Sequence, residues 1–95
     1  MSYYVYVDVE VTDPEGLMRY ATAVTPLVEA AGGRYLARGG DTQGIEGALV
    51  PSGSGLLEFP SKAAWDTFYG SPAYQPLKAL RQRSTRSTLV GFEGL

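Results

Sequence analysis

The chain has no cysteine and no histidine among its 95 residues. Thiol nucleophiles, disulfides, imidazole bases, haem-type ligation and Cys/His zinc sites are therefore excluded. Acid–base chemistry is left to carboxylates, tyrosine, lysine and arginine, and neither a metal nor a cofactor is expected. Excess positive charge is also missing, with a net charge of -2 and a pI near 4.9. A nucleic-acid binder needs a basic patch to neutralise phosphates. The short basic run Arg81, Arg83 and Arg86 lacks interleaved aromatics, so nucleic acid is not an expected partner. No apolar run approaches the ~20 residues of a bilayer span, and no basic start leads into an apolar segment. The expectation is a soluble cytoplasmic protein with no membrane partner.

What is present is an ordinary folding composition, 44% hydrophobic and 19% charged. The length suits one domain, residues 1–95, which buries roughly 60–65% of its unfolded surface. The central stretch is Gly32-Gly33-Arg34-Tyr35-Leu36-Ala37-Arg38-Gly39-Gly40. One glycine pair stops a helix, a short strand follows, and a second pair ends it. Side-chain alternation places Arg34, Leu36 and Arg38 on one face and Tyr35 and Ala37 on the other. Arg34 fits a solvated edge strand. Arg38, against two glycines, reads as paired or ligand-facing.

Tyr3 to Val11 is the first strand, with Tyr3, Val5, Val7, Val9 and Val11 on an apolar face and Tyr4, Tyr6, Asp8 and Glu10 on a mixed one. Thr12-Asp13-Pro14-Glu15 starts a helix, through an Asp13 cap with Pro14 in the first turn or a Thr12/Glu15 capping box. Leu17, Tyr20, Ala21, Val24, Leu27, Val28 and Ala31 then form one stripe. Pro26 interrupts it at a cost of about 3 kcal/mol, which predicts a bend near Thr22 to Thr25. Gly32 is the left-handed stop.

A glycine-rich passage from Gly39 to Gly55 follows, with Ile45 to Val50 as a possible short strand. Its glycines do not have phosphate-loop spacing. Leu56 to Phe59 is a strand, and Ser61 caps a helix whose stripe is Ala64, Trp65 and Phe68. Ser71-Pro72 restarts a helix, with Pro76 limiting its first turn. Arg86 to Glu93 is the last strand, with Thr88, Val90 and Phe92 on one side and Leu89 and Gly91 on the other.

The order is strand, helix, strand, strand, broken helix, strand. It predicts a ferredoxin-like βαββαβ α+β fold with one antiparallel four-stranded sheet and helices on one face. Tyr4, Tyr6 and either Leu36 or Tyr35 are left on the other face. An apolar patch of a few hundred Å² is rarely bare in a monomer, so a two-fold homodimer is expected.

Beyond the pattern, Gly32 to Gly40, then Glu46-Gly47, Glu58-Phe59-Pro60-Ser61, Trp65 to Tyr69, and Ser71-Pro72-Ala73-Tyr74-Gln75-Pro76-Leu77 with Arg81, in that order and spacing, resemble the family known as domain of unknown function 1330. The resemblance runs over most of the chain. It implies a dimeric α+β barrel, a superfamily that includes cofactor-free monooxygenases, muconolactone isomerases and stress-response barrels. Carried over residue by residue, it points to Arg38, Glu46, Tyr69, Ser71, Tyr74 and Arg81 as ligand-binding candidates. The chain departs from the family in a glycine- and serine-rich linker from Gly47 to Gly55 and in its aromatic Tyr3 to Tyr6.

Arginine is a permanent cation with a rigid donor fork, suited to a carboxylate or enolate oxygen. Tyrosine donates to a developing oxyanion, and Glu46 acts as a base where burial raises its pKa. The structural alternatives are an Arg38–Glu46 pair fixing the turn, Tyr69 and Tyr74 as core aromatics alongside Trp65, and Arg81 as a partner of the helix dipole. Two functions are compatible with these residues. One is a small homodimeric barrel binding an acidic or aromatic ligand between sheet and helices, with cofactor-free isomerase or monooxygenase-like chemistry. The other is a non-catalytic interaction or ligand-sensing module.

Overall fold

The computed structural model describes residues 1–39, 41–48 and 52–95. Strand β1 (Tyr3–Val11) leads into helix α1 (Pro14–Ala30), and β2 (Arg34–Arg38) and β3 (Ser54–Phe59) follow. Helices α2 (Lys62–Tyr69) and α3 (Gln75–Ser84) precede β4 (Thr85–Glu93). The four strands form one antiparallel sheet in the order β2-β3-β1-β4. This is the βαββαβ ferredoxin-like arrangement that the element order predicts.

Local chemistry sets the ends of α1. Asp13 Oδ1 accepts from the Gly16 N–H at 3.2 Å, and Pro14 stands where no N–H is needed. At the other end Gly32 N–H donates to the Glu29 carbonyl at 3.0 Å and Gly33 N–H to the Val28 carbonyl at 2.9 Å. That pair is a Schellman closure, and it requires the left-handed conformation Gly32 adopts, with φ of 82°. The helix continues through Pro26 as one element, and Thr25 Oγ1 donates back to the Ala21 carbonyl at 2.8 Å.

Three boundaries differ from the sequence expectation. Strand β3 starts at Ser54, two residues before Leu56. Ser71-Pro72 does not open a helix: Ser71 Oγ donates to the Phe68 carbonyl at 2.8 Å within a turn, and α3 begins at Gln75. Pro76 then lies in the first helical turn, where its missing N–H costs nothing. Strand β4 follows α3 without a loop, and Thr85 Oγ1 donates to the Arg81 carbonyl at 2.8 Å across the junction. Of the possible strand from Ile45 to Val50, residues Ile45 to Ala48 are not part of a strand, and Leu49 and Val50 lie outside the described residues.

The largest correction concerns β2. Its pairing with β3 runs Arg34↔Glu58, Tyr35↔Leu57, then Ala37↔Leu56 and Arg38↔Gly55. Leu36 is the extra residue of a β-bulge, so alternation resets after it. Tyr35 and Arg38 therefore share a face, opposite Arg34 and Ala37. Leu57 and Gly55 continue that face to Val5 and Val7, so Arg38 faces the helices. Arg34 pairs across the strand with Glu58 at 2.8 Å on the other side.

The core lies between the sheet and the helices. Tyr3, Val5, Leu57 and Phe59 pack against Val24 and Val28 of α1, Phe68 of α2, and Tyr74. Phe59 meets the rings of Trp65 and Phe68 at 5.3 and 5.4 Å. Full burial of one such side chain contributes about 1.5–3 kcal/mol. On the opposite face the register aligns Tyr4 with Phe92 and Tyr6 with both Val90 and Leu56; among the described residues no helix covers this face, and Val90 and Phe92 are half-exposed.

Candidate functional site

A cavity of about 650 Å³ separates the inner sheet face from α1. Val5, Val7, Leu57 and Leu89 line it from the strands, and Leu17, Ala21, Val24 and Val28 from the helix. Val11, Met18, Gly39 and Ser52, all exposed, line its mouth. Trp65, Phe68, Tyr74 and Arg81 line its inner end. The wall is apolar because the odd positions of β1 and the stripe of α1 both point into it.

Arg81 is the exception in this lining. It is 5% exposed, although arginine is almost never fully buried without a partner. Its Nη1 donates to Ser87 Oγ at 2.7 Å, and its guanidinium interacts with the Tyr74 hydroxyl. Its Nε has no hydrogen-bond partner among the described residues. Nor does any carboxylate pair with it there: the ion pairs are Arg34–Glu58 and Lys62–Asp66. A guanidinium cannot shed its charge, so the cation stays in a poorly solvated place.

Beside it Tyr74, 1% exposed, shares a 2.9 Å hydrogen bond between hydroxyls with Tyr20. Burial, and then the neighbouring Tyr74, pushes the Tyr20 phenol well above the ordinary tyrosine range. Burial also raises Tyr35, against the lowering effect of Arg38. Both phenols therefore remain neutral near neutral pH and act as hydrogen-bond donors rather than bases. A smaller polar hollow of about 350 Å³ adjoins this end, lined by Tyr69, Gln82 and Ser87. Arg81, Thr85 and Leu89 line both spaces.

Of the six residues expected from the sequence, Tyr74 and Arg81 come together at the inner end. Arg38 lines the cavity but is exposed; its Nη1 donates to Thr25 Oγ1 at 3.2 Å, and its guanidinium lies 4.4 Å from the centre of the Tyr35 ring. Tyr69 is outside the large cavity, stacked on Trp65 with ring centres 5.0 Å apart, and reaches Arg81 only through the polar hollow. Ser71 is spent on the turn before α3. Glu46 is exposed on the loop after β2, lines neither space, and forms no ion pair with Arg38 among the described residues. The turn-fixing Arg38–Glu46 pair is thus not formed. Sequence reasoning missed Tyr20, Tyr35, Thr85 and Ser87. Tyr20 was visible only as one more member of an apolar stripe, and alternation left the face of Tyr35 open and set it opposite Arg38, because a bulge leaves no periodic signal.

An antiparallel β2-β3-β1-β4 sheet with helices on one face and a cavity beneath them defines a ferredoxin-like α+β protein. Within that class the chain belongs to the family described as domain of unknown function DUF1330, whose model matches residues 2–95. It is similar to the crystal structure of RPA0582, a protein of unknown function from Rhodopseudomonas palustris, with 20% identity and a TM-score of 0.80 over 99% of this chain and 82% of that one. It is also similar to a dimeric ferredoxin-like protein of unknown function from Thermobifida fusca, with 16% identity and a TM-score of 0.68 over 99% and 92% of the two chains. SnoaB, a cofactor-independent oxygenase from Streptomyces nogalater, matches at 9% identity and a TM-score of 0.60 over 99% and 91%. No curated protein matches the sequence. Among the described residues no helix is long and apolar enough to cross a membrane.

Proposed function

We propose that this chain pairs with a second copy through the uncovered face of its sheet and binds a small acidic or aromatic molecule in the cavity between sheet and helices. The observation that carries the ligand reading is Arg81: a buried cation in the lining of an apolar cavity, paired with no carboxylate among the described residues. Such a group is costly in isolation and favourable once an anion reaches it. The cavity volume falls within the roughly 300–1,000 Å³ typical of small-molecule sites. The dimer reading is supported by the half-exposed Val90 and Phe92 beside Tyr4 and Tyr6, and by the dimeric Thermobifida fusca protein of the same fold.

Cofactor-free isomerase or oxygenase chemistry begins by removing a proton from the ligand and stabilising the anion left behind. Arg81 and the hydrogen-bonded Tyr20–Tyr74 hydroxyls serve the second task as preorganised donors. For the first, the described lining offers a single carboxylate, Glu10, at the exposed end. That scarcity of bases favours a second reading, a binding or sensing protein that performs no reaction. The likeness to a cofactor-independent oxygenase supports the first.

A thermal-shift screen of carboxylates, phenols and quinones tests binding. A true ligand at 100 times its Kd stabilises the fold by about 2.7 kcal/mol. A broad library without a hit removes the ligand reading. Mass spectrometry of each hit after incubation in air then separates the two functions: a changed ligand marks an enzyme, and an unchanged one a sensor.

A further inference from the structure

Resting on the ligand-binding reading, we infer that the molecule bound is a monocarboxylic acid with an apolar ring or chain, and that its carboxylate turns inward onto Arg81 rather than outward onto Arg38. The two arginines that line the cavity have opposite surroundings. Arg38 is exposed, so water already solvates its charge; its Nη1 bonds Thr25 and its cationic face lies against the Tyr35 ring. Arg81 is withdrawn from water, keeps its charge, and meets no carboxylate among the described residues. A carboxylate placed there gains charge-assisted hydrogen bonds where little water competes. The same anion at the mouth gains far less.

The lining fixes the rest of the molecule. Arg81 and Thr85, both buried, border the apolar cavity and the polar hollow, with Ser87 on the polar side, whereas the other charged side chains of the described lining, Glu10 and Arg38, are exposed. Away from it Val5, Val7, Val24 and Leu57 offer only apolar surface. Among the described lining residues Arg81 is the only buried cation, which limits the deep charge to one. Glu10, the only acidic side chain in the described lining, opposes a carboxylate that faces the mouth.

The test is calorimetric titration of the full chain with 2-naphthoate and with its neutral counterpart, 2-naphthalenemethanol. The expected result is that the acid binds at least about tenfold tighter than the alcohol, the scale of one charge-assisted contact. Arg81→Lys keeps the charge and loses the fork; it should weaken the acid about tenfold or more and leave the alcohol nearly unchanged. Arg38→Gln should change the acid by less than about threefold, as befits an exposed ion. If Arg81→Lys does not fold, naphthoate labelled with ¹³C at its carboxyl decides in the Arg38→Gln protein. Facing Arg81, the bound carboxyl titrates below the free acid; an unshifted or raised titration overturns the inference. Equal affinity for acid and alcohol, or loss of acid binding only in Arg38→Gln, also overturns it while leaving the cavity as a ligand site. Binding of neither compound, together with an empty thermal-shift screen, removes the cavity reading as well.

Discussion

On the helix-covered face of the sheet, Phe59 is wholly buried; on the opposite face, Val90 and Phe92 are 51% and 50% exposed. The same strands supply both faces, since side chains two apart along β1 and β4 share one side. The covered face has enough apolar surface to hold the fold together and still encloses a cavity containing a cation. The uncovered face has apolar surface without a partner. Stability is therefore concentrated on one side of the sheet and the proposed pairing on the other, and substitutions on the two sides should have separable effects.

The largest expected effect is on the covered side. Phe59→Ala removes the ring that Trp65 and Phe68 pack against, and should cost about 3–5 kcal/mol in denaturant unfolding. A comparable loss from Phe92→Ala would erase the contrast between the faces. Next is Gly33→Ala. Gly33 is buried, and a Cβ there would meet the Phe59 ring edge at 2.8 Å, so overpacking should cost about 1–3 kcal/mol by the same assay.

Phe92→Ala sharpens the comparison from the uncovered side. It should leave monomer stability within about 0.5 kcal/mol but weaken self-association about tenfold or more in sedimentation equilibrium, as for an aromatic interface anchor. Tyr20→Phe has the smallest effect at neutral pH, about 1 kcal/mol for one hydroxyl contact. Its consequence is clearer in alkali. The Tyr20 phenol ionises near 10.0 when unfolded and well above that when folded. The folded state thus holds more protons above that pH, and stability falls as pH rises from about 10. Unfolding followed from pH 9 to 11 should show a shallower decline in Tyr20→Phe than in the wild type.

The covered face was readable in the sequence wherever a period or a cap created it. The alternating valines of β1, the Asp13-Pro14 start and the Gly32-Gly33 stop of α1 each have one short-range physical cause, and each appears in the fold. The site was less readable because its causes are not local. The bulge at Leu36 reverses the face of Arg38, yet nothing between Arg34 and Gly39 marks it. Arg81 was a ligand candidate by resemblance alone, with a charge complementing a helix end as the alternative, and only the packing of α3 against α1 and β4 buries it. The Tyr20–Tyr74 bond joins residues 54 positions apart, and Glu46, close to Arg38 in sequence, stays out on the loop.

The central claim is that the buried Arg81 awaits an anion. It is tested most directly by the Nε–H signals of the arginines in ¹⁵N-resolved NMR, followed as 2-naphthoate is added. The account predicts that the Arg81 signal moves downfield and exchanges more slowly with water, while that of Arg38 stays in place. An Arg81 signal unmoved at saturating naphthoate, or a shift confined to Arg38, would contradict it.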